Sequence, residues 1–476
     1  MDSRNAMRTL VVLALMLTLT NYVETMVVPA IPKIQDQFGV TAAVTSWITS
    51  AYLIVGAITS PLFGKLGDRY GKKRVYLIAI IFYTIAVGLA GFSPNIYFLI
   101  GARAIQGFGY AVFPLAIAII TDIYPKERLA WAQGILSATL AIGPAIGLLV
   151  GSYIVEDLGW PYAFHTAFIL SIAMLLVSAK YIVDIPSKTY ESIDYTGALI
   201  LMVAVSSFLV YLTEGPNVGW FTPGQVSLII LSLIFLGAFI PFERSRKEPL
   251  MKLSLFEIRN FFVANLAGLI SGVAMFMMFF FVTYYAELPP PYGLGLSIIQ
   301  TGTLMAPVAL IMVIVGPTVG RIMSRSGPKP ILVIGPLIGM LGFFLTIINR
   351  STPLELLEDV LVITVGTVMI VVPLVNMVAV ALPEDARGIG IGMNTLIRTI
   401  GSSIGPVAAT SIMDSYESWS FLIYRNLIVP VAQLPSSTAF NDIAILAIGM
   451  FFLSFIVALF TQNYKFEVKA GQQAPI

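Results

Sequence analysis

Cysteine is absent from the chain, and histidine occurs once, as His165. The first absence excludes disulfides, thiolate metal sites and cysteine nucleophiles. The second leaves too little imidazole for a His-rich metal site or a Ser–His hydrolase. Charge is scarce as well: 11% of the 476 residues are charged, against about 25% in ordinary soluble domains. Lysine and arginine number 27 and aspartate and glutamate 25, a net charge of +2 with no basic domain, which disfavours nucleic-acid binding. No G-x-x-x-x-G-K-[ST] run offers a loop for ATP phosphates. Apolar surface, by contrast, is abundant. Hydrophobic residues make up 58% of the chain and aromatics 12%, with a mean hydropathy of +0.90. A soluble fold of this length has too small an interior to hide that much. The expected class is an all-α polytopic membrane protein without metal or cofactor.

A bilayer core about 30 Å thick takes roughly 20 apolar residues as a helix. Apolar runs between charges and turn signals place helices at 8–32, 44–64, 75–94, 97–121, 129–152, 160–182 and 194–213. The second half adds 224–242, 260–286, 297–320, 330–348, 359–381, 389–413 and 441–464, fourteen in all. The first run follows Arg4 and Arg8 but continues to Pro29 and Pro32 with no small-residue cleavage site, so it reads as a retained helix.

Lysine and arginine set the orientation. With the N-terminus inside, 22 of the 27 fall on the cytoplasmic side, among them Lys65, Arg69, Lys72, Lys73, Arg74, Lys188, Arg325, Lys465 and Lys469. Three lie outside (Lys33, Arg350, Arg425) and two within helices (Arg103, Arg398). The expected arrangement is a multi-pass protein of the cell membrane with both termini cytoplasmic.

The segment GKLGDRYGKKRV (Gly64 to Val75) has a degraded echo in GRIMSRSGPKPI (Gly320 to Ile331). Gly64, Arg69, Gly71 and Lys73 match Gly320, Arg325, Gly327 and Lys329 at an offset of 256, and Asp68 becomes Ser324. Gly143-Pro144 is echoed by Gly405-Pro406 at an offset of 262. Repeated loops at similar places indicate a duplicated six-helix unit. The expected domains are an N-terminal bundle (1–190), two inserted helices (191–255) and a C-terminal bundle (256–476). Parallel repeats of this kind enclose a substrate cavity between the halves near the midplane.

Three motifs carry the functional reading. GKLGDRYGKKRV supplies glycines for a tight helix–helix turn and an acid, Asp68, able to accept from helix-end N–H groups or pair with Arg69 or Lys72. In LIGARAIQGFGYA (Leu99 to Ala111), Arg103 lies at membrane depth, where a charge costs several kcal/mol unless paired or hydrated, so it is expected to face the bundle interior. In GILSATLAIGPAIGLLVG, Gly143, Gly147 and Gly151 form one smooth face for a neighbouring helix, and Pro144 removes one backbone bond.

The first motif resembles the loop G-x-L-x-D-R-x-G-R/K-K/R of the major facilitator superfamily, the second its R-x-x-Q-G-x-G, and the third its antiporter motif ending G-P-x-x-G. The helix count, WITSAYLIVGAITSPLFGKLGD (Trp47 to Asp68) and NTLIRTIGSSIGP (Asn394 to Pro406) resemble the fourteen-spanner drug:proton antiporter family, over essentially the whole chain. That resemblance implies the major facilitator fold, two six-helix bundles plus two inserted helices. It implies a conformational latch at Gly64, Asp68, Arg69, Gly71 and Lys72, with Asp122 as its acidic neighbour. It also implies proton coupling through an intramembrane acid and Arg103. The family's acid lies nine residues before a closing proline, where this chain has Val23; Glu24 is its neighbour, turned about 100° around the helix.

Tyr22, Gln106, Asn265, Asn376, Asn394 and Arg398 are intramembrane polar groups, and Met278 lies in the adaptable run MFMMFFFVTYY (Met275 to Tyr285); these are the candidate cavity residues, with helix-to-helix bonding the competing reading for the polar ones. His165 reads as interfacial, and the loop 414–440 as a surface-lying segment. The function expected is proton-coupled efflux of lipophilic drugs or related small molecules by alternating access, performed by a monomer. A dedicated permease of the same superfamily, importers included, is the alternative. An intramembrane enzyme lacks a catalytic constellation, and a channel has no use for a latch.

Overall fold

In lipid, a segment of some 20 apolar residues satisfies its backbone polar groups by turning helical. The computed structural model describes residues 3–184, 194–382, 387–424 and 427–463. The first span is α1 (Ser3–Thr25), continued through a 3-10 turn at Val28–Ala30 into α2 (Ile31–Phe38). Pro29 and Pro32 explain the break, since neither ring donates a backbone N–H. Then follow α3 (Ala42–Tyr70), α4 (Lys72–Gly91), and a fourth span of α5 (Ile96–Gln106), a 3-10 turn at Gly107–Ala111 and α6 (Val112–Ile123). Next come α7 (Lys126–Asp157), α8 (Trp160–Tyr181), α9 (Tyr195–Val218) and α10 (Pro223–Ser245). The remaining spans are α11 (Arg259–Glu287), α12 (Ile298–Ser326), α13 (Pro328–Ile348), α14 (Pro353–Ala381), α15 (Arg387–Ser415) and α16 (Ser437–Leu459). Among the described residues, thirteen spans are long and apolar enough by themselves to cross a bilayer. The fourteenth, α15, has the length but carries Asn394, Arg398 and a run of serines and glycines.

Most helices outrun the stretches expected from hydropathy, because polar and charged ends such as Gly67–Tyr70 stay helical after leaving the apolar layer. Gly71 and Gly327 end α3 and α12 with φ of 95° and 81°, a backbone region that suits residues without a Cβ. Their shared conformation is the structural counterpart of the loop repeat.

Helices α1–α8 pack among themselves, chiefly α1 on α7 and α4 on α5 and α8; α11–α16 form a second set built on α11–α15, α13–α14 and α13–α16. The sets meet where α3 lies along α15 and α7 along α12. Between them α9 touches both α3 and α15, while α10 packs chiefly on α9. Two bonds fix α9: Trp47 Nε1 donates to Thr213 Oγ1 at 2.7 Å, and Ser411 Oγ donates to the Leu212 carbonyl at 2.6 Å. The inserted pair thus leans on both sets through one helix.

The surface segment at 414–440 proves to be an antiparallel hairpin, β1 (Glu417–Tyr424) and β2 (Leu427–Pro435), with a bulge between Ser420 and Phe421. Its base is held by Tyr292, whose hydroxyl donates to the Trp419 carbonyl at 2.6 Å. His165 meets the Phe92 ring at a tilt, 4.5 Å between centres, near the end of α8 closest to Gly159. Lys188, Arg425, Lys465 and Lys469 lie outside the described residues.

Candidate functional site

Midway along the first span, Val23 is fully buried in the core of the first helix set, whereas Glu24 is half-buried. The 100° step therefore turns the acid away from that core. Its carboxylate lies within electrostatic reach of Arg103 on α5 and Arg398 on α15. Those two arginines come from different helix sets, so the acid stands where the sets meet.

Arg103 is fully buried. Its Nε donates to the Ile48 carbonyl of α3 and its Nη1 to Gln106 Oε1, both at 2.8 Å, and its guanidinium lies 4.7 Å from the centre of the Tyr52 ring. Nη2 and the Gln106 amide nitrogen are buried with no hydrogen-bond partner among the described residues. Tyr52 meets Tyr110 edge-on at 5.5 Å, and Tyr110 reaches across to Thr399 and Arg398 of α15. Tyr83 completes this wall, packing under Gly109, where an added Cβ would collide with its ring. Of these, sequence reasoning singled out Glu24, Arg103, Gln106 and Arg398; it missed Tyr52, Tyr83, Tyr110 and Thr399. The available signal was three tyrosines at mid-depth on segments flanking the Arg103 motif.

Other candidates are placed differently. Asn265 donates to Phe261 of its own helix, and Asn394 bonds Ala264 and Asn265 on α11 at 3.3 and 3.4 Å. Asn376 donates to Val372 of its own helix. Met278, 2% exposed, packs in the second core. Tyr22 is buried within the first set beside Thr166.

The glycine stripe of α7 seats α1. A Cβ on Gly143 would lie 2.8 Å from the Thr18 carbonyl, and one on Gly151 2.5 Å from Met26 Cβ. Thr25 Oγ1 also donates to the Pro144 carbonyl at 3.2 Å. The stripe thereby fixes residues 18–26 of α1, with Glu24 among them.

At the face carrying the start of α1 and the end of α16, hereafter the terminal face, Lys72 pairs with Asp122 at 2.6 Å and with Asp68 at 3.8 Å, all within the first set. Asp68 remains 54% exposed, and Gly64 has open space around it. Lys65 donates to the Pro249 carbonyl at 3.0 Å, tying this loop to the chain after α10. A cleft of about 340 Å³ opens beside it on the flank of α3 and α4, lined by Phe63, Leu66, Tyr70, Arg74, Val75 and Ile78. It lies apart from the central arginines.

The opposite face is closed by bonds between the sets. Asp414 of α15 accepts from Ala42 N and Ala43 N at 3.1 and 2.9 Å. Glu156 of α7 accepts from Ile299 N at 2.6 Å. Tyr284 bridges Thr45 at 3.0 Å and Gln35 at 2.6 Å, and deeper down Ser50 donates to the Ser403 carbonyl at 2.8 Å. Outside the helices, burial and then the charge of Asp414 push the Glu417 carboxyl above its usual range.

Three comparisons bear on this arrangement. The family model described as Major Facilitator Superfamily matches residues 13–406. The multidrug transporter protein MdtP of Bacillus subtilis is 28% identical over 396 residues, 82% of this chain and 72% of that protein. The tetracenomycin C resistance and export protein of Streptomyces glaucescens is 26% identical over 400 residues, 82% of this chain and 73% of its own. Among solved structures, an auto-inhibited POT family peptide transporter superposes with a TM-score of 0.64 at 13% identity, covering 95% of each chain. The human organic anion transporter MFSD10 does so with 0.61 at 15%, covering 95% of this chain and 99% of its own. A family model spanning most of the chain, on a fold of two helix sets that meet near Arg103 and Arg398, leaves one assignment: this chain belongs to the Major Facilitator Superfamily and is a multi-pass membrane transporter, not an enzyme.

Proposed function

We propose that the transporter exports lipophilic small molecules in exchange for protons, acting as a monomer in the cell membrane with both termini cytoplasmic. The observation that carries this reading is the half-buried Glu24, set between Arg103 and Arg398 where the helix sets meet. An acid there loads or releases a proton as the site is exposed to one side or the other, and substrate binding beside it favours one protonation state. The relatives named for multidrug transport and antibiotic export support the substrate class, and the lysine and arginine bias supports the orientation.

In this reading the structure is the inward-facing state. The face opposite the start of α1 and the end of α16 is held shut by Asp414, Glu156 and Tyr284. The latch formed by Gly64, Asp68, Arg69, Gly71 and Lys72, with Asp122, waits for the opposite state. There Asp68 leaves Lys72 and closes onto the second bundle. Two arginines against one acid give no preference for dicationic substrates.

One proton is enough to drive export. About 2.3 kcal/mol per 100 mV and about 1.4 kcal/mol per pH unit together sustain a gradient of several hundred-fold for a neutral substrate. Everted vesicles given a chemically varied panel test the reading. Proton-driven uptake of several unrelated lipophilic compounds is expected; a single accepted solute, or accumulation into intact cells, would favour a dedicated permease.

A further inference from the structure

The cleft on the flank of α3 and α4 has no part in the central site, and its lining divides by chemistry. Phe63 and Leu66 of α3 and Val75 and Ile78 of α4 are apolar, whereas Tyr70 and Arg74 stand at the end nearest Gly71. Phe63 lies seven residues from Tyr70, about 10 Å along the helix axis, so the apolar part runs into the depth of the bilayer. Beyond it Phe63 packs on Phe108 at 5.7 Å and Phe108 on Phe82 at 5.2 Å. Ile78, Ile81, Phe82 and Ile85 of α4 are 39% to 52% exposed, and apolar side chains exposed on a membrane span face lipid. The cleft therefore opens to the bilayer.

Its mouth is basic. Lys72 takes both nearby carboxylates, Asp68 and Asp122. Arg69 lies over the Tyr70 ring at 5.2 Å and has no carboxylate partner among the described residues. Arg74 is exposed, and among the described residues its guanidinium is in neither an ion pair nor a contact with an aromatic ring. Basic side chains left without acids, above an apolar slot at the membrane surface, suit a molecule with an anionic head and a hydrocarbon tail.

We propose that this cleft binds an anionic phospholipid from the leaflet at the terminal face, with the phosphate on Arg74 and one acyl chain along Phe63, Leu66, Val75 and Ile78. A guanidinium holds a phosphate through paired, charge-assisted bonds. The acyl chain gains little by leaving other lipid tails, which are as apolar as the slot, so the headgroup charge sets the selectivity. A zwitterionic headgroup brings an ammonium toward Arg69 and Arg74 and binds less well. The bound lipid braces α3 against α4 beside the turn at Gly71. This site requires neither proton coupling nor a direction of transport, so it stands or falls apart from the export reading.

Thermal unfolding of the full chain in detergent tests the site, with dioleoyl phosphatidylglycerol, dioleoyl phosphatidylcholine and glycerol phosphate as probes. Phosphatidylglycerol raises the melting temperature; phosphatidylcholine and glycerol phosphate do not. Arg74→Gln needs about fivefold more phosphatidylglycerol for half of that shift, the worth of one basic residue at an anionic surface. Ile78→Trp fills the slot and loses most of the shift. Arg244→Gln, an exposed basic residue at the end of α10, responds as the parent does. Native mass spectrometry gives a second reading that does not depend on melting: the parent retains a phosphatidylglycerol that Arg74→Gln and Ile78→Trp release more readily. The proposal is overturned if phosphatidylglycerol gives no shift, if phosphatidylcholine or glycerol phosphate protects as well, or if Arg244→Gln weakens the response as much as Arg74→Gln. It is overturned equally if Arg74→Gln and Ile78→Trp respond and retain lipid as the parent does.

Discussion

Placing Gly143→Ala in α7 tests whether the glycine stripe is what positions the coupling acid. The new Cβ would sit 2.8 Å from the Thr18 carbonyl and 2.5 Å from Asn21 Cβ, where ordinary contact begins at 3.4 Å. The first contact is with backbone, so no side-chain rotation relieves it; α1 must retreat by about 0.6 Å or more. Overpacking of this kind costs about 1–3 kcal/mol. Gly147→Ala meets the Tyr22 carbonyl and Thr25 in the same way, and Glu24 lies between those two contacts. Both variants should melt several degrees below the parent in detergent and lose most proton-driven transport in everted vesicles. Gly134→Ala on the same helix is the control, since nothing lies within 4 Å of its Cβ position, and it should behave as the parent. If Gly143→Ala melts and pumps normally, the close approach of α7 is not what holds α1 in register.

Asp68→Asn should insert and melt like the parent yet transport poorly, because the state closed on the terminal side loses its acceptor; wild-type transport would remove Asp68 from the latch. Arg103→Ala leaves the Ile48 carbonyl and Gln106 without their donors and should abolish proton-driven transport. Arg103→Lys should rescue it only partly, since a point ammonium cannot reproduce the planar fork; full activity of the alanine variant would reduce the arginine to a structural plug. Thr213→Val removes the acceptor of Trp47 Nε1 and should cost about 1 kcal/mol in thermal unfolding, with transport kept if α9 is only a brace.

The helix count was legible because lipid allows an apolar run few other structures, and even α15 was found despite Arg398. Helix ends were not, since hydropathy reports where the apolar layer stops and hydrogen bonding carries the helix further. The hairpin escaped because its strands were read as a loop. The period-two alternation of Ser418, Trp419, Ser420 and Phe421, and the apolar run after Arg425-Asn426, were its signal. At the centre, Glu24, Arg103 and Arg398 were readable because charge inside a membrane is rare. Their meeting was not, because Arg398 lies 374 residues from Glu24 in sequence and only the packing of α3 on α15 brings them together. The rim contacts of Asp414, Glu156, Tyr284 and Gln35 were invisible for the same reason. Each is an ordinary polar residue at a helix end until its partner in the other bundle is known.

The central claim is that Glu24 couples proton flow to substrate flow. It is tested most directly in proteoliposomes with an imposed pH gradient, by comparing the wild type with Glu24→Gln for substrate binding and for gradient-driven accumulation. The account predicts that the glutamine variant binds substrate but no longer accumulates it, while binding to the wild type changes the protonation of the site and so the pH of a weakly buffered solution. Undiminished gradient-driven accumulation by Glu24→Gln would contradict it.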